Sequence, residues 1–231
     1  MSDVLLVGFP YVAVILAILV GIYRYNTDRF SYSSFSSQLL ENQKLFWGSA
    51  LWHYSIVLIL LAHLIAFVIP PLWGAIFSVP TLKYLLEVIG LVLSLSGFLA
   101  MGWLMMRRFS TRRIYVVTTR MDWVLVSLLL LQMLMGFIVA LTYRWGGEWF
   151  VSSTQPWLWS LLTLSPNTEY VSALPGLIQF HFFLGFLIIL LFPFSRLVHL
   201  VAFPIHYLWR PYQRVIWNRA PRPSPGFRTT S

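Results

Sequence analysis

The chain has 231 residues, of which 58% are hydrophobic and only 10% charged, with a mean hydropathy of +0.75; such a composition belongs to a polytopic membrane protein and leaves no soluble domain of useful size. Cysteine is absent, which excludes disulfides, iron–sulfur ligation and thiol catalysis within this chain, so any redox centre must be held by histidine, methionine or a bound organic cofactor. The net charge of +9 sits between apolar stretches, where it reads as an orientation signal and a contact for anionic lipid or an acidic partner, not as a nucleic-acid interface.

Five stretches are long and apolar enough to cross a bilayer as helices. The first covers residues 4–22; it lacks the positive n-region and small-residue cleavage site of a secretory signal and reads as a retained helix. A serine-rich segment follows, in which residues 38–41 suit a short interfacial helix. The second span, residues 48–69, ends at Pro70-Pro71 and carries His53 and His63. A short connection, residues 72–82, leads to the third span, residues 83–106. Five arginines and no acid occupy the next loop, at positions 107, 108, 112, 113 and 120. The fourth span covers residues 122–143. After Arg144 the following loop has no lysine or arginine up to residue 174, but holds Glu148, Glu169 and several tryptophans. The fifth span begins near Pro175 and is expected to run as one helix to about residue 203, where Pro204 interrupts it. A basic tail with Arg210, Arg214, Arg219, Arg222 and Arg228 closes the sequence, and its PRPSPGF stretch reads as disordered.

Positive charge retained on the cytoplasmic side places the arginine-rich loop and the tail inside and the tryptophan-rich loop outside. The expected fold is therefore an all-α membrane protein with five transmembrane helices, the N-terminus outside and the C-terminus cytoplasmic. Residues 1–208 form one membrane domain, and residues 209–231 form a cytoplasmic tail suited to contacting partner subunits.

His181 and His199 lie eighteen residues apart on the expected fifth helix, about five turns and roughly 27 Å along one face. Imidazole in lipid is costly and needs a partner inside the protein. Two unrelated interfacial histidines would satisfy that helix alone, but the second span changes the weighting. By chain direction, His63 lies at the outer depth of His181 and His53 at the inner depth of His199, giving two pairs between antiparallel spans 2 and 5. Each pair offers two nitrogens, too few for a structural zinc site but enough for the two axial positions of a haem. The spacings differ, because ten residues between His53 and His63 span only about 15 Å; the helices must diverge or the two haems tilt oppositely. The fifth histidine, His206, follows Pro204 and reads as a surface residue meeting a partner or a haem propionate. Lys83 is the basic residue of the outer connection between spans 2 and 3. By position it either snorkels to the interface or turns inward as a ligand.

The run Phe192-Pro193-Phe194-Ser195-Arg196-Leu197-Val198-His199, with His181 eighteen positions earlier, resembles the gamma subunit of membrane-bound respiratory nitrate reductase. So do His53 and His63 at ten-residue spacing, Ser36-Ser37-Gln38-Leu39-Leu40, and Arg107-Arg108 followed by Thr118-Thr119 and Asp122. The likeness covers nearly the whole chain and weakens in the outer loop. It implies five helices in a prokaryotic inner (cytoplasmic) membrane and two b-type haems held by His53, His63, His181 and His199. It further implies a quinol site near the outer haem, with Lys83 as quinol ligand drawing on the quinone pool. Electrons would pass to an iron–sulfur beta subunit and a molybdenum-containing alpha subunit on the cytoplasmic side. The competing readings are the same subunit type in a nitrite oxidoreductase or another respiratory oxidoreductase and, from a different class, a non-redox anchor or small transporter with structural or proton-carrying histidines.

Overall fold

The computed structural model describes residues 3–28 and 43–200, with side chains described from residue 48 onward in the second stretch. The segment 38–41, the Ser36–Leu40 motif, His206 and the tail 209–231 lie outside the described residues. Every regular element among the described residues is helical. Five helical stretches are long and apolar enough to span a membrane: Val4–Thr27, Gly48–Val68, Pro80–Ser110, Arg120–Thr142 and Gly176–Phe194. The chain is a multi-pass membrane protein, as its composition requires.

Local sequence accounts for where these helices begin and end. A π-helical turn, Val4–Gly8, runs into α1, Phe9–Thr27. Pro10 has no N–H for the Leu6 carbonyl four residues back, and the indole of Trp157 donates to that oxygen at 3.2 Å. Helix α2, Gln43–Val68, stops where Ile69 leaves helical geometry before Pro70, as a residue preceding proline tends to. Proline then opens both α3, Pro70–Phe77, and α4, Pro80–Ser110, a position where its missing N–H costs nothing. Arg107 and Arg108 sit in the last turn of α4, where cations complement the helix dipole. After the short α5, Arg112–Val117, helix α6, Arg120–Thr142, starts on a reciprocal cap. Thr119 Oγ1 accepts from the Asp122 N–H, and Asp122 Oδ2 accepts from the Thr119 N–H. The following loop folds into α7, Gly146–Trp149, a π-helical turn Phe150–Thr154, α8, Gln155–Leu162, and α9, Glu169–Ser172. The last span is α10, Gly176–Leu191.

Here the structure corrects the expectation of one helix to residue 203. The α-helix ends at Leu191, a 3-10 turn covers Phe192–Phe194, and a second covers Arg196–Leu200. Pro193 cannot donate a helical bond. Ser195 is fully extended (φ −115°, ψ 178°), and its hydroxyl accepts from the Leu197 N–H at 3.2 Å, capping the second turn. The constant rotation of about 100° per residue that aligned His181 with His199 therefore stops between them.

The spans pack as a row: α2 on α4, α4 on α6, α6 on α10 and α10 on α1. Trp52, Ala100, Met101, Val126 and Met133 form the core of the α2–α4–α6 half. Gly97 lets these three helices meet, since a Cβ there would press on the Met133 side chain and stand 3.2 Å from Ser55 Cβ; small residues serve this purpose between membrane helices. Leu6, Trp157, Leu161 and Val171 build a second core between the start of α1 and the 144–174 loop. One end of the row gathers Arg24, Arg107, Arg108, Arg112, Arg113, Arg120 and Arg196; the other gathers the 144–174 loop with Asp3, Glu148 and Glu169. They are called here the basic end and the loop end.

Candidate functional site

Three of the four candidate histidines donate from Nδ1 to a backbone carbonyl. His53 Nδ1 donates to the Ser49 carbonyl at 2.7 Å, His63 Nδ1 to the Ile59 carbonyl at 2.8 Å, and His199 Nδ1 to the Arg196 carbonyl at 2.7 Å. A carbonyl can only accept, so the proton is on Nδ1 and the Nε2 lone pair is left for a metal, the arrangement that orients metal-ligating histidines. These three rings are exposed on their helices.

The structure brings His53 and His199 together, with ring centroids 6.4 Å apart and planes at 69°. An imidazole nitrogen binds a metal at about 2.0–2.1 Å with its ring centre about 1.2 Å further back, so two rings across one ion have centres roughly 6.5 Å apart. The separation matches. His63 and His181 lie within electrostatic reach of each other, but their ring contacts are to other residues. His63 meets Phe150 edge-on at 5.7 Å. His181 has its Nε2 3.5 Å from Gln132 Nε2 and its Nδ1 buried without a hydrogen-bond partner. Its Cε1 lies 3.2 Å from where a Cβ at Gly136 would stand, so α6 is cut back to backbone beneath that ring. Among the described residues no three His, Asp or Glu side chains gather to hold a metal ion. The one pair of imidazoles at a ligating separation among the described residues, His53 and His199, is a donor set that fits the two protein ligands a haem needs.

Lys83 lies at the loop end on the first turn of α4. Its Nζ is 2.6 Å from Glu148 Oε1 and 4.1 Å from the centre of the Trp145 ring. Trp145 adopts left-handed backbone geometry (φ 65°), a strained state for a bulky residue. It caps α7, its carbonyl accepting from the Glu148 N–H at 2.9 Å, and this turn delivers the carboxylate to Lys83. Gly147 docks against the Phe77 ring, leaving no room for a Cβ. A shallow cleft of ≈ 260 Å³ opens beside the pair, lined by Gly74, Phe77, Ser78, Gly147, Glu148 and Val151.

The profile of the nitrate reductase gamma subunit family matches residues 2–218. The chain belongs to that family. It is 31% identical over 218 residues to the nitrate reductase gamma chain of Bacillus subtilis (strain 168), covering 92% of this chain and 97% of that one. It is 30% identical over 215 residues to the respiratory nitrate reductase 2 gamma chain of Escherichia coli (strain K12), covering 90% and 93%. It also aligns, at 29% identity over 208 residues, with 32% of the longer nitrate reductase-like protein NarX of Mycobacterium tuberculosis (strain ATCC 25618 / H37Rv). As a gamma-subunit family member it is a subunit of a nitrate reductase complex, an oxidoreductase.

Sequence reasoning on this gamma-subunit family member missed Gln132, Gly136, Glu148, Trp145 and the Asp122–Arg196 ion pair, 2.8 Å between Oδ1 and Nε. Of these, only the Thr119-x-x-Asp122 spacing carried a local signal, that of a helix cap.

Proposed function

We propose that this chain is the quinol-oxidising membrane subunit of a respiratory nitrate reductase. In this reading the basic end faces the cytoplasm, the N-terminus lies outside, and the membrane is a prokaryotic inner (cytoplasmic) membrane. His63 and His181 hold an outer haem b, and His53 and His199 an inner one. A haem held there would supply single-electron transfer. The observation that carries the reading is the 6.4 Å separation of the His53 and His199 rings, with both Nδ1 atoms committed to carbonyls.

The chain's own residues have three tasks. The Nδ1–carbonyl bonds fix which nitrogen faces the iron and raise its basicity. Lys83, in exchange for Glu148, takes the quinol oxygen and stabilises the negative charge that develops as a proton leaves. The loop end keeps that proton on the outer side while electrons leave inward to iron–sulfur and molybdenum subunits docked on the basic end. Each electron moved inward works against about 2.3 kcal/mol per 100 mV of membrane potential.

A reduced-minus-oxidised absorbance spectrum of the purified chain tests this. We expect a b-type band and two haems per chain by pyridine haemochrome; a chain purified from haem-replete cells with no band would end the reading.

A further inference from the structure

His199 is not carried by the α10 helix. It lies eight residues beyond Leu191, past the extended Ser195, so its position must be fixed by contacts of the final turn. Two of these converge on one residue. The Arg196 carbonyl accepts from His199 Nδ1 at 2.7 Å, and Arg196 Nε donates to Asp122 Oδ1 at 2.8 Å. Asp122 cannot easily shift. Its other oxygen accepts from the Thr119 N–H at 2.9 Å, and its own N–H is held by Thr119 Oγ1. The residue is 4% exposed and anchored at the start of α6, where a carboxylate also complements the helix dipole. Arg108 of α4 lies within electrostatic reach of both Asp122 and Arg196, so the carboxylate stands among several cations.

We infer that Asp122 is the positioning residue of the inner site: through Arg196 it sets the location and ring plane of His199, making the start of α6, not α10, the frame for that imidazole. The inference rests on the haem reading above. A hydrogen-bonded carboxylate–guanidinium pair has defined geometry, and here its carboxylate is buried and its guanidinium lies three residues before the ligand.

The test is Asp122→Asn in the complete complex. An asparagine oxygen can still accept from the Thr119 N–H, so the cap survives while the carboxylate charge facing Arg196 Nε is removed. We expect the low-spin ferric EPR signal and the reduction potential of the inner haem to shift, or that haem alone to be lost, with the outer haem unchanged. Arg196→Gln should give the same change, the double variant Asp122→Asn/Arg196→Gln no more than either alone, and Asp122→Glu partial recovery. An inner haem with unshifted signal and potential in both single variants, equal changes at both haems, or additive shifts in the double variant would overturn the role. Failure of the underlying reading is distinguishable, since it would show as missing haem in the unmodified chain. Should Asp122→Asn not assemble, Arg196→Gln, on a side chain 35% exposed, carries the same decision.

Discussion

The imidazoles of His53 and His199 meet with their centroids 6.4 Å apart although one rides on the long helix α2 and the other on a 3-10 turn beyond a break. The break at Pro193 and Ser195 matters for that meeting. It releases the last turn from the line of α10 and gives it to α6 through Asp122, while Arg24 of α1 donates from Nη1 to the Pro193 carbonyl, in the turn before the break, at 2.6 Å.

The pairing makes the two haems separately removable. His53→Ala or His199→Ala should perturb or remove the inner haem first, and His63→Ala or His181→Ala the outer. Haemochrome counts with potentiometric titration distinguish the outcomes. Identical residual spectra from the His63 and His199 variants would show that the pairs are wrongly drawn.

Gly136 should be as decisive as a ligand. A Cβ there stands 3.2 Å from His181 Cε1, so Gly136→Ala asks the ring to give by a few tenths of an ångström and Gly136→Leu asks it to leave. We expect the alanine variant to keep two haems with a shifted outer potential, and the leucine variant to lose the outer one. Two unshifted haems in the leucine variant would mean that His181 does not rest on α6.

Lys83→Ala should keep both haems and slow their reduction by a quinol analogue in stopped flow. Losing a charge-assisted hydrogen bond worth about 1.5–3 kcal/mol corresponds to roughly ten- to a hundredfold. Glu148→Gln removes the ammonium's present partner, 2.6 Å away, and should tighten binding of quinol-site inhibitors. Wild-type reduction rates in the Lys83 variant would remove it from the quinol site.

Deletion of residues 209–231 should release the soluble subunits from membranes while the spectrum of the membrane domain persists. The warrant is the tail's five arginines with aromatic residues between them, a composition fit for an acidic partner or anionic lipid. Full retention of the soluble subunits after the deletion would leave the tail without that role.

Much of this was legible because lipid allows few solutions. Backbone groups must be satisfied internally, so apolar runs become helices, and Pro70-Pro71 and the Arg107–Arg120 stretch marked their ends to within a few residues. The break in the fifth span was also written in the chain, at Phe192-Pro193-Phe194-Ser195, but a membrane helix can absorb a proline. Here the contacts of Arg24 and Arg196 accompany a break instead. Gly136 under His181 and Glu148 on Lys83 were not legible at all, since each depends on how non-neighbouring segments dock. A glycine in an apolar helix and an acid in a loop have many ordinary reasons to be there.

The row of spans has a consequence in time. Read from α2 to α1, its order is second, third, fourth, fifth, first. Three of its four interfaces join consecutive spans and can form as each hairpin leaves the ribosome, the local contacts that assemble fastest. The remaining interface joins α10 to α1, and the first span is also tied to the segments on either side of α10: Tyr11 donates to the Leu161 carbonyl and Trp157 to the Leu6 carbonyl, both through α8, and Arg24 to the Pro193 carbonyl, at separations of 150, 151 and 169 residues. The earliest of these five spans is therefore the one that docks last, waiting in the bilayer until the fifth has arrived to receive it.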